Sequence, residues 1–252
     1  MKKYLTLAVV AMVCAGTAKA QFAGEYNLGK HEGDNKSYNR VGISYNNDSY
    51  GFNSDAKYWF ESDDMGGSLN GFGLNYIHGF SLSSSLPMFL EVGGNVNFNF
   101  GNVLHVEGES YYDEVRYNAK NQLQMIDLQV PVNYVYRFNV ADDFSIAPYV
   151  GLNFKLNLIG KVMYIEEIWD DDEYQKEEDG WFNLYNKDDM DDMGTWNRFQ
   201  MGWHVGVGFQ YSKIYLGVQY GTDFIPAFSC SDEGYKPKVN TGSLKINLGY
   251  TF

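Results

Sequence analysis

A side-chain period of two governs this chain, and it is plainest in the last ten residues, Ser243 to Phe252. Leu244, Ile246, Leu248, Tyr250 and Phe252 are apolar or aromatic, and Ser243, Lys245, Asn247, Gly249 and Thr251 alternate with them. That period puts the two sets on opposite faces of an extended strand. A soluble sandwich would turn the polar set to water and the apolar set to a core. A membrane-spanning barrel reverses this, with apolar residues outward and polar ones in the lumen. One strand cannot choose between the two.

The rest of the sequence does. Alternating segments recur near 38–46, 70–80, 88–100, 126–138, 144–158, 199–211 and 214–224, so the count is eight. Across the last five strands the apolar face holds 33 positions, none charged and only Thr222 polar. With 20% of the chain charged, about six or seven charges would fall there by chance. The connections are long and short in turn. Polar loops are expected at 47–69, 101–122 (with 103–106 extending its hairpin), 162–197 and 227–241. Compact turns are expected at 81–87, 139–143 and 212–213. That segregation suits long outer loops and short periplasmic turns. The expected fold is all-β, an eight-stranded antiparallel transmembrane β-barrel. Pro131 falls mid-strand and removes a ladder donor, so a local bulge is expected there.

At the N-terminus, Met1-Lys2-Lys3, an apolar run from Tyr4 to Gly16 and Ala18-Lys19-Ala20 read as a secretory signal over residues 1–20. Residues 21–252 then form one barrel domain. They contain a single cysteine, Cys230, so no intramolecular disulfide is possible there. Loss of Lys2, Lys3 and Lys19 takes the formal charge from −13 to −16, which argues against nucleic acid as a partner. The 21 Tyr, 17 Phe and 5 Trp suit the aromatic girdles of a membrane barrel.

Several motifs resemble the porin-family proteins that carry the small outer-membrane β-barrel domain. They are Phe89-Leu90-Glu91-Val92-Gly93, Leu128-Gln129-Val130-Pro131, Ala147-Pro148-Tyr149-Val150-Gly151, the glycine-rich strand from Gly202 to Gly208, and the closing Phe252. The resemblance covers about residues 69–252. That family usually has Glu where this chain has Gln129. The resemblance implies a place in the cell outer membrane, contact with outer-membrane lipid, and recognition of Tyr250 and Phe252 by the barrel assembly machinery. It implies little about activity.

Candidate sites are few. Between residues 163 and 197 lie 13 acidic residues, opposed within the loop by Lys176 and Lys187. Clustered carboxylates suit Ca2+ or Mg2+, and Asp170, Asp172, Asp179, Asp189 and Asp191 are the candidate ligands. The run Asp189 to Gly194 lacks the ligand spacing of a calcium loop, which favours a solvated charge run with no cofactor. Around it, Met163-Tyr164-Ile165, Ile168-Trp169 and Trp181-Phe182 are too apolar for simple disorder. Strands five and six are therefore expected to continue outward as a hairpin.

The inward-facing Arg40, Glu91, Asp127, Arg137, Lys155, Arg198, Asp223 and Lys245 could line a permeation path. An eight-stranded barrel is just wide enough for side chains to fill, so a paired polar core is expected, with Tyr149 and Tyr215 pointing inward. Of the histidines His31, His78, His105 and His204, only His105 with Ser110 offers a pairing for catalysis, and a plain loop histidine is the preferred reading. The chain is read as a non-enzymatic barrel with a structural or interaction role through acidic outer loops. The surface ligand or protein partner is not specified by the sequence. A narrow solute channel is the first alternative, and a membrane-embedded lipid-modifying enzyme the second.

Overall fold

The computed structural model describes residues 35–59, 66–109, 116–170, 173–190, 195–231 and 234–252. Residues 1–20, where a signal segment is expected, His31 and Ser110 lie outside them, as do the side chains of residues 104–117 and 170–173. In chain order the strands are β1 (Tyr38–Phe52), β2 (Gly67–Ser81), β3 (Met88–Glu109), β4 (Arg116–Tyr136), β5 (Phe138–Ala141), β6 (Phe144–Asp170), β7 (Glu173–Glu178), β8 (Phe182–Asn183), β9 (Phe199–Tyr211), β10 (Ile214–Asp223), β11 (Phe228–Ser229) and β12 (Lys238–Thr251). Two short helices, α1 (Ser54–Trp59) and α2 (Lys187–Met190), sit in the outer connections.

Eight strands pair antiparallel in the order β1-β2-β3-β4-β6-β9-β10-β12, and β12 returns to β1, so this ring closes on itself. The closing seam runs from Arg40 opposite Thr251 to Phe52 opposite Val239. Reciprocal backbone bonds between Asn39 and Phe252, 3.0 and 2.9 Å, finish it. Closure satisfies the backbone groups that an open edge would leave bare. The short turns, 82–87, 142–143 and 212–213, share one end of the ring.

Over the end of the ring that carries the short turns, alternation gives an apolar outer band and a polar interior. Ile43, Leu74, Phe72 and Leu248 are each at least half exposed. Between them point Ser44, Asn46, Asn97 and Lys245, all buried. Nine residues from Leu244 to Phe252, at roughly 3.3 Å rise and about 45° tilt, cross about 21 Å, close to the band height of membrane barrels.

Beyond that band the polarity inverts on the same strands. Inward positions become apolar, with Tyr50, Leu69, Val103, Leu123, Met125, Val162 and Val239 all buried. Outward positions become polar at Ser49, Gln122, Gln124, Lys161, Lys238 and Asn240. The long-loop end of the barrel is thus built like a water-soluble protein, around an apolar core completed by Leu184, Trp196, Ala227 and Phe228 from the connections.

Four expectations change. Strand one continues to Phe52 rather than ending near 46, and residues 101–122 hold a hairpin reaching Glu109 and Arg116 rather than a loop. Strand five runs outward to Asp170 as expected, but it turns back through β7 and β8, not through the sixth barrel strand. Leu184 and Trp196 instead cover the mouth: Leu184 N donates to Gly160 O and Trp196 N to Leu184 O, both at 3.0 Å. Nor does Pro131 create a bulge. The β3–β4 ladder lapses opposite Gly93 and Gly94 and resumes in the same register, while Pro131 still pairs with Asn153 of β6. A missing donor interrupts one ladder without shifting it.

Candidate functional site: the barrel interior

Two interlocked polar groups fill the banded part of the barrel. Near the short-turn end, Arg40 Nη2 lies 2.8 Å from Glu91 Oε1, both groups nearly inaccessible. Tyr38 also donates to Oε1 of Glu91, and Asn133 donates to its Oε2 at 3.1 Å. Asn133 Oδ1 meets His204 Nε2 at 2.6 Å. The Arg40 guanidinium lies 3.6 Å from the Tyr215 ring centroid. Both carboxylate oxygens of Glu91 are thus bonded, as burial of charge demands. Tyr149 and Tyr215 are buried and inward, as expected.

Toward the long-loop end, Lys155 Nζ lies 3.3 Å from Asp223 Oδ2 and 3.8 Å from Asp48 Oδ2. Asp127 receives Asn97 Nδ2 at 2.7 Å and Asn99 Nδ2 at 3.1 Å, and Lys245 donates to Gln129 Oε1 at 2.7 Å. The interior cavity between the two groups, lined by Arg40, Glu91, Asn95, Asn133 and Lys245 among others, measures about 20 Å³, the room of roughly one water.

A ring of strands that is apolar outside and charged inside would aggregate in water, whereas hydrocarbon solvates such an outer face. The chain is a small transmembrane β-barrel. Its fold is similar to three solved structures, each 12% identical: Ail, the attachment invasion locus protein of Yersinia pestis (TM-score 0.39, 86% of this chain and 99% of that one), Neisserial surface protein A (0.37, 85% and 97%), and the outer membrane protein OprG of Pseudomonas aeruginosa (0.35, 86% and 96%). No family model matches the chain, and no curated protein matches it. The fold is therefore read from the barrel's own strand pairing.

The barrel brings six of the eight expected inward charges together: Arg40, Glu91, Asp127, Lys155, Asp223 and Lys245. Arg137 stands apart at the short-turn end, half-buried over Tyr38 and Phe89 at 4.7 and 4.5 Å from their centroids. Arg198 is not in the lumen. It is exposed at the outer rim, donating to Leu158 O at 3.1 Å and lying 4.4 Å from the Tyr185 ring. Burial pushes the Tyr185 phenol up, so the ring beneath Arg198 stays uncharged. Both arginines sit at strand ends, where a long side chain reaches a rim instead of the interior.

Asp48, Asn97, Asn99, Gln129, Asn133 and His204 complete the network and were not among the expected site residues. Each shares the inward parity of its strand, which places it in the lumen without marking it as part of a network. Asp48 lay past the expected end of strand one.

Of the candidate cation ligands, Asp179 is exposed. Asp189 is engaged in its own turn, accepting from Asn183 N at 2.8 Å and Asn186 Nδ2 at 2.9 Å. Asp172 and Asp191 lie outside the described residues, as does the Asp170 side chain. Among the described residues no three carboxylate, histidine or cysteine groups converge to hold a metal ion. His78 bonds Asn39 Oδ1 through Nδ1 at 2.7 Å on the outer face, and the His105 side chain is outside the described set.

Glycines make the network possible. An added Cβ at Gly71 would lie 2.1 Å from both Asn99 Oδ1 and Phe98 O, and one at Gly73 would lie 2.3 Å from Asn97 Oδ1. The asparagines of β3 lean across β2 because these two residues have no side chain. Gly71→Ala should therefore cost about 1–3 kcal/mol by overpacking, read as a lowered urea midpoint in detergent micelles. An unchanged midpoint would mean that both the Asn99 amide and the β3 backbone at Phe98 can move aside freely.

Proposed function

We propose that this protein is an outer-membrane barrel that works at the cell surface through its outer connections, in a structural or interaction role, and does not pass solute. The observation that carries this reading is a double closure. Ion pairs and amides fill the lumen within the band, and an apolar core under Trp196 and Phe228 fills the mouth above it. A solute path would have to break both. Outer-membrane placement is supported by the apolar band, the closed ring and the asymmetry of loop lengths. The partner would meet a surface rich in carboxylate, since Glu166, Glu177, Glu178, Asp179 and Asp188 are all exposed. No catalytic step belongs to this reading.

Purified protein inserted in planar bilayers should show no large, steady conductance, and vesicles containing it should not swell in isotonic small sugars. Reproducible channels that pass small sugars would overturn the proposal in favour of a solute channel.

A further inference from the structure

The polar interior does not balance. Among the described residues it holds four acids, Asp48, Glu91, Asp127 and Asp223, against three bases, Arg40, Lys155 and Lys245. Arg40 and Glu91 cancel, which leaves the surplus negative charge in the group nearer the long-loop end. Arg137 does not offset it, because it sits at the other end over Tyr38 and Phe89.

Hydrogen bonding is lopsided in that same group. Asn46 donates to Asn97 at 3.0 Å, Asn97 and Asn99 donate to Asp127, and Asn99 Nδ2 lies 3.4 Å from Asp48 Oδ2. Within this connected chain three buried oxygens have no partner: Asn46 Oδ1, Asp48 Oδ1 and Asn99 Oδ1. Their residues are 1%, 2% and 4% exposed. All three atoms can only accept. Near the short-turn end the orphans are mixed instead, with Asn75 Nδ2 a donor and Asn95 Oδ1 an acceptor, both on residues lining the small cavity. A water satisfies a mixed pair. A water could donate to two of the three oxygens at the other end but brings no charge, so the uncancelled carboxylate among them calls for a positive one.

We infer that the barrel interior binds one small monovalent cation, of the sodium or potassium class, at Asp48 with the amide oxygens of Asn46 and Asn99. Oxygen ligands suit hard cations. A single charge matches the single surplus, and the Lys155 ammonium, 3.8 Å from the other oxygen of Asp48, weighs against a divalent ion. With the apolar core above it, the ion enters as the barrel folds.

The test is refolding from urea into detergent micelles in sodium, potassium or tetramethylammonium chloride at equal ionic strength, followed by urea unfolding in the same salt. Tetramethylammonium is too large for the interior. The expected result is a higher midpoint in sodium or potassium, and loss of that difference in Asp48→Asn, which removes the surplus charge. Equal midpoints in all three salts would overturn the proposal in the wild-type protein alone, whether or not the variant folds. A midpoint that rises on acidification equally in every salt would overturn it too, by showing that a proton supplies the charge. A salt difference that persists in folded Asp48→Asn would place the ion elsewhere and also overturn it.

Discussion

Glu91→Ala destabilises the barrel by about 3–5 kcal/mol, the usual cost of leaving one partner of a buried ion pair without the other. Glu91 is the acceptor for three groups at once, Tyr38, Arg40 and Asn133. Its removal strands a guanidinium that is only 5% exposed. The Tyr215 face, 3.6 Å away, retains some cation–π attraction but cannot replace the carboxylate. Replacing both partners, Arg40→Met with Glu91→Met, should cost less than either change alone, because no buried charge remains to be solvated. The measurement is a double-mutant cycle on urea unfolding in micelles. If the double variant costs as much as the two single changes added together, the pair is not acting as a coupled, desolvated unit.

The sequence shows the banded half of this fold well, because a single rule operates there. Lipid tolerates no charge outside, so the outward parity of β4, β6, β9, β10 and β12 is clean enough to set strand and register together. The rule fails above the band, where water replaces lipid. Tyr50, Leu69, Val103, Leu123 and Met125 keep the inward parity of the charged residues below them but are apolar. Judged by the membrane rule, each is a break in the pattern, so that rule ends strand one near 46 and reads residues 101–122 as loop. The inward charges were legible because a charge on that parity has one place to go. Asn97, Asn99 and His204 carry no such signal, since an uncharged polar residue on the inward face is ordinary until its partner across the barrel is known. That partner depends on the tilt of the ring and on gaps at Gly71 and Gly73, neither of which is visible along a single strand.

The apolar core at the mouth and the charged network beneath it close the barrel by different physics, and Trp196→Ala separates them. Trp196 is 9% exposed and stands between two rings, Tyr50 at 5.8 Å and Phe228 at 6.3 Å between centroids. Polar links also tie its segment down, from Trp196 N to Leu184 O at 3.0 Å, from Asn197 N to Ala227 O at 2.7 Å and from Asn197 Nδ2 to Pro226 O at 2.9 Å. Truncation to Ala should cost about 3–5 kcal/mol in lost burial and residual cavity, and this falls on the segment that covers the mouth. Protease should then cut at residues 184–189 or 195–198 of the folded, detergent-solubilised barrel far faster than in the wild type. The banded half does not share that core, so the variant should still resist unfolding by detergent until it is heated. Conductance should stay absent, because Arg40–Glu91 and Lys155–Asp223 still fill the lumen below. Steady channels in Trp196→Ala would make the apolar core, and not the ion-paired lumen, the barrier to solute. Unchanged proteolysis would mean that the ring is not what holds the segment over the mouth.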